Sequence, residues 1–283
     1  MASQRDIRRR IGSVKNIKQI TRAMQFVPAS KLKRAQDATL AARPYSEKLD
    51  EVLADLAAVL GQEDHPLLAA PKDGKRLIVL ITTDRPLSGP LNTNIVRFVA
   101  RDIIDNPGDL AVITVGRKGR DAMRRTGVPL EAHFATYGDR PTFADVLPLA
   151  RLVTDDFLAG TYARVDIVYS HWVSTLVQRP TSLTILPIQS AEDTEGIPGN
   201  QFIFEPSAAA VLERLLPRYV ATRLFQTVLE AKASEESSRM VAMKNATENA
   251  EELIEDLTLS YNKVRQANIT REMIEIASGA NAR

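Results

Sequence analysis

Apolar residues in the first 60 positions recur every three or four residues, which predicts one long helix from about Gln4 to Leu60. The predicted apolar stripe comprises Ile7, Ile11, Val14, Ile17, Ile20, Met24 and Val27, followed by Ala35, Ala38, Ala42, Tyr45, Leu49, Val52 and Leu56. Pro28 and Pro44 lie within it. Because proline cannot donate the helical hydrogen bond, we expect each to bend the helix or end a segment of it. At Pro28 the carbonyl of Met24 is expected to lose its helical partner.

The last third of the chain has a stricter pattern, in alternating steps of three and four residues. It comprises Met240, Met243, Thr247, Ala250, Ile254, Leu257, Tyr261, Val264 and Asn268. Such a heptad seam requires a partner helix. No proline follows Pro217 and no glycine lies between Gly199 and Gly279, so the predicted helix runs from about Ser207 to Ser278. We expect the two terminal helices to bury their stripes against each other as a long antiparallel coiled coil.

In the middle of the chain the spacing of apolar residues differs from that of the terminal helices and is typical of an α/β fold. Continuous apolar runs predict strands at 76–84, 110–115, 163–170 and 181–188, and the stretches near 92–105, 117–126 and 142–158 read as helices. This alternation predicts a Rossmann-like α/β layer. The predicted division is therefore an N-terminal coiled-coil helix at 1–60, a central α/β domain at 75–205 and a C-terminal coiled-coil helix at 207–283.

Charge is distributed unevenly along the chain. Residues 1–34 hold ten lysines and arginines against one acid, Asp6, whereas 248–256 holds five acids and no base. The basic segment allows three interpretations: a nucleic-acid-binding arm, a solvated face of the coiled coil, or a surface that attracts an acidic protein. Its single aromatic residue, Phe26, argues against the first. No run of 18 apolar residues is present, and the N-terminus is too charged for a secretion signal.

The candidate chemistry is sparse. The chain has no cysteine, and its three histidines, His65, His133 and His171, lack ligand spacing, so we predict no metal site. The loop after the first strand, TTDRPLSGPLN, is not a glycine-rich phosphate loop. The segment VGRKGRD, with Gly116 and Gly119, is a weak anion-site candidate against a simple turn. No Walker or nucleophile-elbow motif occurs, so neither a catalytic nor a cofactor site is predicted.

The terminal segments carry a more specific signal. The sequence IRRRIGSVKNIKQITRAMQFVPASKLKRAQ resembles the opening helix of ATP synthase γ subunits, and SEESSRMVAMKNATENAEELIEDLTLSYNKVRQANITREMIEIASGA resembles their closing helix. The resemblance implies a non-catalytic rotor shaft inside a ring of three α and three β subunits, with the central domain bound to the ε subunit and the c-subunit ring. It implies coupling of c-ring rotation to ATP synthesis or reverse hydrolysis, and a peripheral location on the cytoplasmic face of a bacterial cell membrane.

The resemblance also implies contact residues. Positions that match the family's contacts with α and β are Met24, Arg239, Arg265, Gln266, Thr270, Glu272 and Glu275; those that match its c-ring contact are Phe202 and Glu205. Simpler readings make Met24 a seam residue, Arg239 a surface charge and the segment around Phe202 an edge strand. Beyond Asn268 the seam positions become Arg271 and Glu275, so the last three turns are expected to leave their partner helix.

The chain departs from the family pattern in three places. Residues 86–92 read Pro-Leu-Ser-Gly-Pro-Leu-Asn where many members have Gly-Leu-Cys-Gly-Gly-Leu-Asn, so a stiffer loop is expected, with Pro86 and Pro90 in it. Pro28 stands where many members have alanine. The cysteine pair of chloroplast members is missing. Two other classes remain as alternatives: a basic coiled-coil nucleic-acid-binding protein and an α/β enzyme with helical extensions.

Overall fold

The computed structural model describes residues 3–60, 65–69, 74–188, 205 and 207–280. They fall into two compact units: the first combines the residues up to Pro28 with those from Arg239 onward, and the second comprises the residues from Ala29 to Ser238. Two long helices supply both termini, α1 at Gln4–Leu60 and α5 at Ala208–Ala280. Helix α1 continues through Pro28 and Pro44, so of the two expected effects, a bend or the end of a segment, the second does not occur. One missing N–H removes a single hydrogen bond and leaves the neighbouring turns intact.

The first unit is an antiparallel helix pair. Gln4 Nε2 donates to Tyr261 Oη at 3.2 Å, and Thr247 Oγ1 donates to Thr21 Oγ1 at 2.8 Å, so residue numbers rise along α1 as they fall along α5. All nine predicted seam positions of α5, from Met240 to Asn268, are buried or half-buried. The seam and the antiparallel pairing of the termini are therefore confirmed in this unit.

The seam of α1 differs from the predicted stripe. Ile17, Ile20 and Val27 are 51%, 58% and 56% exposed, whereas Lys18 and Thr21 are half-buried. The buried or half-buried positions that keep the alternating spacing are Gln4, Ile7, Ile11, Val14, Lys18, Thr21, Gln25 and Pro28, and Met24 next to Gln25 is half-buried as well. The predicted stripe contains several consecutive steps of three residues, whereas a seam has a mean period of 3.5 residues. Its later apolar residues therefore rotate away from the partner helix, and polar residues occupy the seam positions.

The second unit is built on a five-stranded sheet. Its strands are β1 at Lys75–Ile81, β2 at Leu110–Val115, β3 at Leu130–Phe134, β4 at Tyr162–Trp172 and β5 at Gln178–Leu186. Their order is β3-β2-β1-β4-β5; the first four strands are parallel and β5 is antiparallel to β4. The predicted mixed α/β fold with long terminal helices is confirmed. Strand β3 was missed, because it is a short edge strand without a continuous apolar run.

The sheet has a helix layer on each face. Helices α2 at Leu91–Asp105 and α3 at Arg117–Met123 cover one face, where Ile78 and Leu80 pack against Ile95 and Met123. Helix α4 at Phe143–Leu158 and the start of α5 cover the other. Successive residues of a strand point to opposite faces of the sheet, so alternate residues pack into the two cores. We call β1–β5 with α2–α4 the α/β layer.

Within the second unit, α1 again pairs with α5. Leu32, Ala35, Leu49 and Leu53 are buried in the same heptad spacing, and Arg223 Nη2 lies 3.0 Å from Asp50 Oδ1. The predicted stripe is shifted here too, since Tyr45 is 48% exposed and its hydroxyl accepts a hydrogen bond from Arg218 Nε.

Candidate functional site

The C-terminal end of the helix pair is open to solvent. Every residue from Ile269 to Ser278, which we call the α5 tip, is exposed. Asn268 is the last half-buried seam position, and α1 begins at Gln4, which already pairs with Tyr261. The tip therefore extends beyond the described partner helix, as its polar seam positions predicted. It also exposes large apolar side chains, namely Ile269, Met273, Ile274 and Ile276. Such a surface on a helix is typical of an interface.

The predicted α and β contact residues form two groups. Arg265, Gln266, Thr270, Glu272 and Glu275 are exposed at or next to the tip. The other two positions, at the opposite end of this unit, are Met24, which is half-buried, and Arg239, which is 8% exposed. Along α5, Arg239 and Arg265 are separated by about 39 Å at 1.5 Å per residue. The simpler reading of Arg239 as a surface charge is wrong, because the side chain is buried.

The first unit carries opposite charges on its two helices. The exposed bases of α1 are Arg5, Arg8, Arg9, Arg10, Lys15 and Arg22, and the exposed acids of α5 are Glu248, Glu251, Glu252, Glu255, Asp256, Glu272 and Glu275. An ion pair joins the two helices, with Lys18 Nζ 2.5 Å from Glu251 Oε1. The hydrogen bond from Lys18 holds the pKa of Glu251 below its usual value. Most of the basic face of α1 is thus left available to an external acidic surface.

The carboxyl edge of the sheet is where an α/β fold of this topology would bind a nucleotide. The strand order reverses between β1 and β4, and such a switch point forms a crevice. Here side chains of α5 line that crevice, with Val228, Ala231, Lys232 and Glu235 facing the ends of β1 and β4. The cavity left beside them has a volume of about 30 Å³. That volume suits one or two waters.

Protein groups already occupy the donors of the weak anion-site candidate. The backbone N–H of Arg117 donates to Asp84 Oδ1 at 2.8 Å, that of Lys118 to the carbonyl of Thr83 at 3.1 Å, and that of Gly119 to Thr82 Oγ1 at 2.8 Å. At Gly116 the backbone has φ +95°, and a Cβ would lie 2.4 Å from the carbonyl oxygen of Thr82. This glycine therefore permits close packing of the β1 and β2 ends, which fits the simple-turn reading.

Asp84 joins three loops at this edge. Besides accepting from Arg117, it accepts from Thr136 Oγ1 at 2.6 Å. Burial opposes its charge, but the hydrogen bonds from Thr136 and Arg117 outweigh it, so the pKa of Asp84 lies below its usual value. In the same loop Leu87 has a left-handed φ of 72°, and Asn92 Nδ2, at the start of α2, donates to Ser88 Oγ at 3.2 Å and to Thr83 Oγ1 at 2.8 Å. The Pro86–Pro90 segment is thus tied to the end of β1.

A polar segment of α5 was missed by the sequence analysis. Ser234, Ser237 and Ser238 are buried and donate to the carbonyls of Ser170, Thr175 and Ser88 at 2.7, 2.8 and 2.7 Å. Each acceptor belongs to a different loop or strand end of the α/β layer. The signal in the sequence is the run SEESS in the middle of a helix, where an apolar stripe alone would be expected.

The remaining predicted positions can be located only in part. Glu205 is exposed, and Phe202 lies outside the described residues. Within the described parts of the chain, no group of three or more histidines and carboxylates is arranged to hold a metal ion. None of the described helices is both long and apolar enough to cross a membrane.

Comparisons with known proteins agree with one another. Residues 3–282 match the sequence model of a family described as ATP synthase. The chain is 44% identical over 282 residues to the ATP synthase gamma chain of Pelotomaculum thermopropionicum, and 48% identical over 290 residues to that of Roseiflexus castenholzii; each alignment covers 100% of this chain and 99% of the relative. None of these relatives supports the nucleic-acid-binding alternative.

Solved structures share the fold. A chain from the rotor of Euglena gracilis mitochondrial ATP synthase superposes with a TM-score of 0.68 at 22% identity, covering 94% of this chain and 98% of that one. A chain from the central stalk and c-ring of Tetrahymena thermophila mitochondrial ATP synthase gives 0.61 at 24% identity, over 80% and 99%.

Proposed function

The chain belongs to the ATP synthase γ-chain family, and from that premise we propose that it is the central rotor subunit of a proton-translocating ATP synthase. It couples rotation of a membrane c ring to conformational changes at catalytic sites on the β subunits, for ATP synthesis or reverse hydrolysis. The observation that carries this proposal is the antiparallel helix pair with its exposed tip, in a chain related over its whole length to γ chains.

The helix pair is proposed to turn inside a ring of three α and three β subunits. The tip exposes apolar side chains together with Thr270, Glu272 and Glu275, next to Arg265 and Gln266, and we assign these residues to contacts with the ring. Met24 and Arg239 form the second contact group. Because one chain cannot meet three identical β subunits identically, its orientation biases their sites differently, which is coupling between sites.

The charge pattern supports that arrangement. A basic face on α1 attracts acidic surfaces of the ring, and the acidic side of α5 repels them. A half-turn of the helix pair therefore exchanges attraction for repulsion at any one β subunit. The interaction energy between the shaft and a β subunit therefore depends on the angle of the shaft through charge as well as through shape.

The α/β layer is assigned to the part of the rotor outside the ring. There we propose that it binds the ε subunit and the c ring, with Phe202 and Glu205 at the c-ring contact. Membrane association then comes through the c ring, and the chain is a peripheral subunit on the cytoplasmic face of a bacterial cell membrane. The exposure of Glu205 is compatible with such a contact.

We propose that the chain itself is not catalytic. Its switch-point crevice is filled by α5, and the N–H groups of Arg117, Lys118 and Gly119 already have protein acceptors. Titration calorimetry of the purified chain with Mg-ATP should accordingly detect no binding in the micromolar range. Saturable micromolar binding would refute this part of the proposal.

The rotor role is tested by observing rotation. Because the chain has no cysteine, Asp105→Cys on the exposed end of α2 provides a unique attachment point for a bead. In a complex with immobilised α and β subunits, ATP should drive unidirectional rotation of the bead. Cross-linking the α5 tip to a ring subunit should stop both rotation and hydrolysis. A bead that stays still while the complex hydrolyses ATP would contradict the proposal.

A further inference from the structure

We propose that residues 232–238 of α5, named here the α5 clamp, form the joint through which torque passes between α5 and the α/β layer. The inference rests on the proposed rotor function and adds to it a location for load transfer. All the contacts that support it lie within the second unit.

Apolar packing alone does not fix the angle of α5. Between Leu212 and Val228, α5 packs on the sheet through a stripe of side chains spaced four residues apart, namely Leu212, Leu216, Val220, Leu224 and Val228. Hydrophobic contact is non-directional and proportional to buried area. It resists separation of the helix from the sheet more than it resists twisting or sliding. A shaft under torque needs directional contacts as well.

The three serines of the clamp provide such contacts. Ser238 binds the carbonyl of Ser88 in the β1–α2 loop, Ser234 binds that of Ser170 near the end of β4, and Ser237 binds that of Thr175 in the β4–β5 hairpin. A slide by one residue, about 1.5 Å, would lengthen and misalign bonds of 2.7–2.8 Å and so weaken all three. Because the three acceptors lie on separate segments, no single loop movement can follow the helix and preserve all three bonds.

A charged cluster adds a fourth anchor. Lys232 Nζ lies 3.1 Å from Glu236 Oε1, 3.2 Å from Glu235 Oε2 and 3.7 Å from Asp139 Oδ1 in the loop before α4. Lys31 Nζ of α1 lies 2.6 Å from the other oxygen of Asp139. Burial opposes the charge of Lys232, but Glu235 and Glu236 outweigh it and raise its pKa. Asp139 thus connects both long helices to the α/β layer through opposite charges.

The burial of this cluster fits a mechanical role. Glu235 and Glu236 are 7% and 2% exposed, in a place where apolar side chains would pack without the cost of removing charge from water. The low dielectric of the protein interior makes a buried charge costly unless it is paired, and it also strengthens each correctly placed pair. Buried ionic groups therefore favour one specific geometry. At the clamp, that specificity fixes one angle and one height of α5 against the sheet edge.

The test measures torsional stiffness in the assembled complex. With the catalytic subunits arrested by a non-hydrolysable ATP analogue, a bead on Asp105→Cys reports thermal angular fluctuations of the α/β layer. The variant Ser234→Ala/Ser237→Ala/Ser238→Ala should increase the angular variance about twofold or more, because three of the four directional anchors within the α5 clamp are lost. Ser182→Ala, an exposed serine of β5, should leave the variance unchanged.

The outcomes separate this proposal from the rotor proposal. If the wild-type bead rotates with ATP but the triple variant fluctuates as narrowly as wild type, the clamp is wrong and the rotor role stands. If the wild-type bead does not rotate, the rotor role fails. Should the triple variant not assemble, the three single alanine variants carry the same test: each should broaden the fluctuations, and unchanged widths in all three overturn the clamp.

Discussion

Asp166 shows how much of the α/β layer depends on one satisfied charge. It is fully buried in β4 and accepts hydrogen bonds from Arg76 Nε at 2.6 Å, Arg164 Nε at 2.9 Å and Thr184 Oγ1 at 2.7 Å. Those partners extend over β1, β4 and β5. A carboxylate can be buried in this way only because each of its donors is in place.

Replacing Asp166 by asparagine should therefore be costly. The change removes one of the two carboxylates that pair with Arg76, leaving Asp102 at 2.8 Å, and breaking a buried pair typically costs about 3–5 kcal/mol. We expect urea unfolding of the purified Asp166→Asn chain to show a loss of about 3 kcal/mol. Asp121→Asn, which breaks an exposed pair with Arg120, is the matched control and should change little. Equal unfolding midpoints for the two variants would contradict the argument.

Pro28 is the second residue whose cost can be measured. It is buried within an uninterrupted α1, and having no N–H it cannot donate to the carbonyl of Met24. Pro28→Ala restores the donor and should raise the free energy of unfolding by about 1–3 kcal/mol, less than the full helix-interior penalty because some buried contact is lost. We further expect the mutant complex to rotate normally. A stable mutant with poor coupling would instead assign a functional bend to this position.

At the scale of elements, the sequence predicted the helices and strands better than it predicted which of their residues contact each other. The α5 seam was read correctly over nine positions, because its apolar side chains keep the 3.5-residue period. On α1, the predicted stripe included the exposed residues Ile17, Ile20 and Val27. The seam positions nearby are instead occupied by Lys18 and Thr21. Hydropathy cannot reveal a polar seam residue that is satisfied by a partner on another helix.

The candidate site shows the same limit. The exposed tip followed from the change to polar seam positions after Asn268, whereas the contacts of Ser234, Ser237 and Ser238 depend on loops that only the fold brings together. The division of the chain into helix, α/β domain and helix, and the individual partner contacts, stay predictions.

The Thr21–Thr247 pair tests the register of the helix pair. Replacing one threonine by valine removes the bond between the helices and should cost about 0.5–1.5 kcal/mol, although the other hydroxyl keeps a carbonyl of its own helix, that of Lys18 for Thr21 and that of Met243 for Thr247. Replacing both should cost less than the sum of the single changes, since the one bond between the helices can be lost only once. Thr258→Val is the control, because the exposed hydroxyl of Thr258 donates to the carbonyl of Ile254 in its own helix. A double-mutant cycle in urea unfolding that gave additive costs would argue against this register.

At the scale of the whole molecule, Met24 connects the helix pair to the proposed function. It is half-buried, three residues from Thr21, in the contact group that also contains Arg239. Met24→Lys adds a positive charge where we propose that acidic β surfaces meet the shaft. The new ion pair should favour one orientation of the rotor, so that hydrolysis proceeds with less rotation against load.

The measurement is proton pumping per ATP hydrolysed in membrane vesicles that contain the whole complex. Met24→Lys should lower that ratio, while Met24→Leu, which keeps size and hydrophobicity, should preserve it. The direct cost to the helix pair is expected to be about 1–3 kcal/mol, because the lysine stem can carry its charge to solvent. Unfolding of the purified chain measures that cost separately. If Met24→Lys pumps as efficiently as wild type, Met24 does not face a catalytic subunit, and the contact group must be reassigned to Arg239 and the α5 tip.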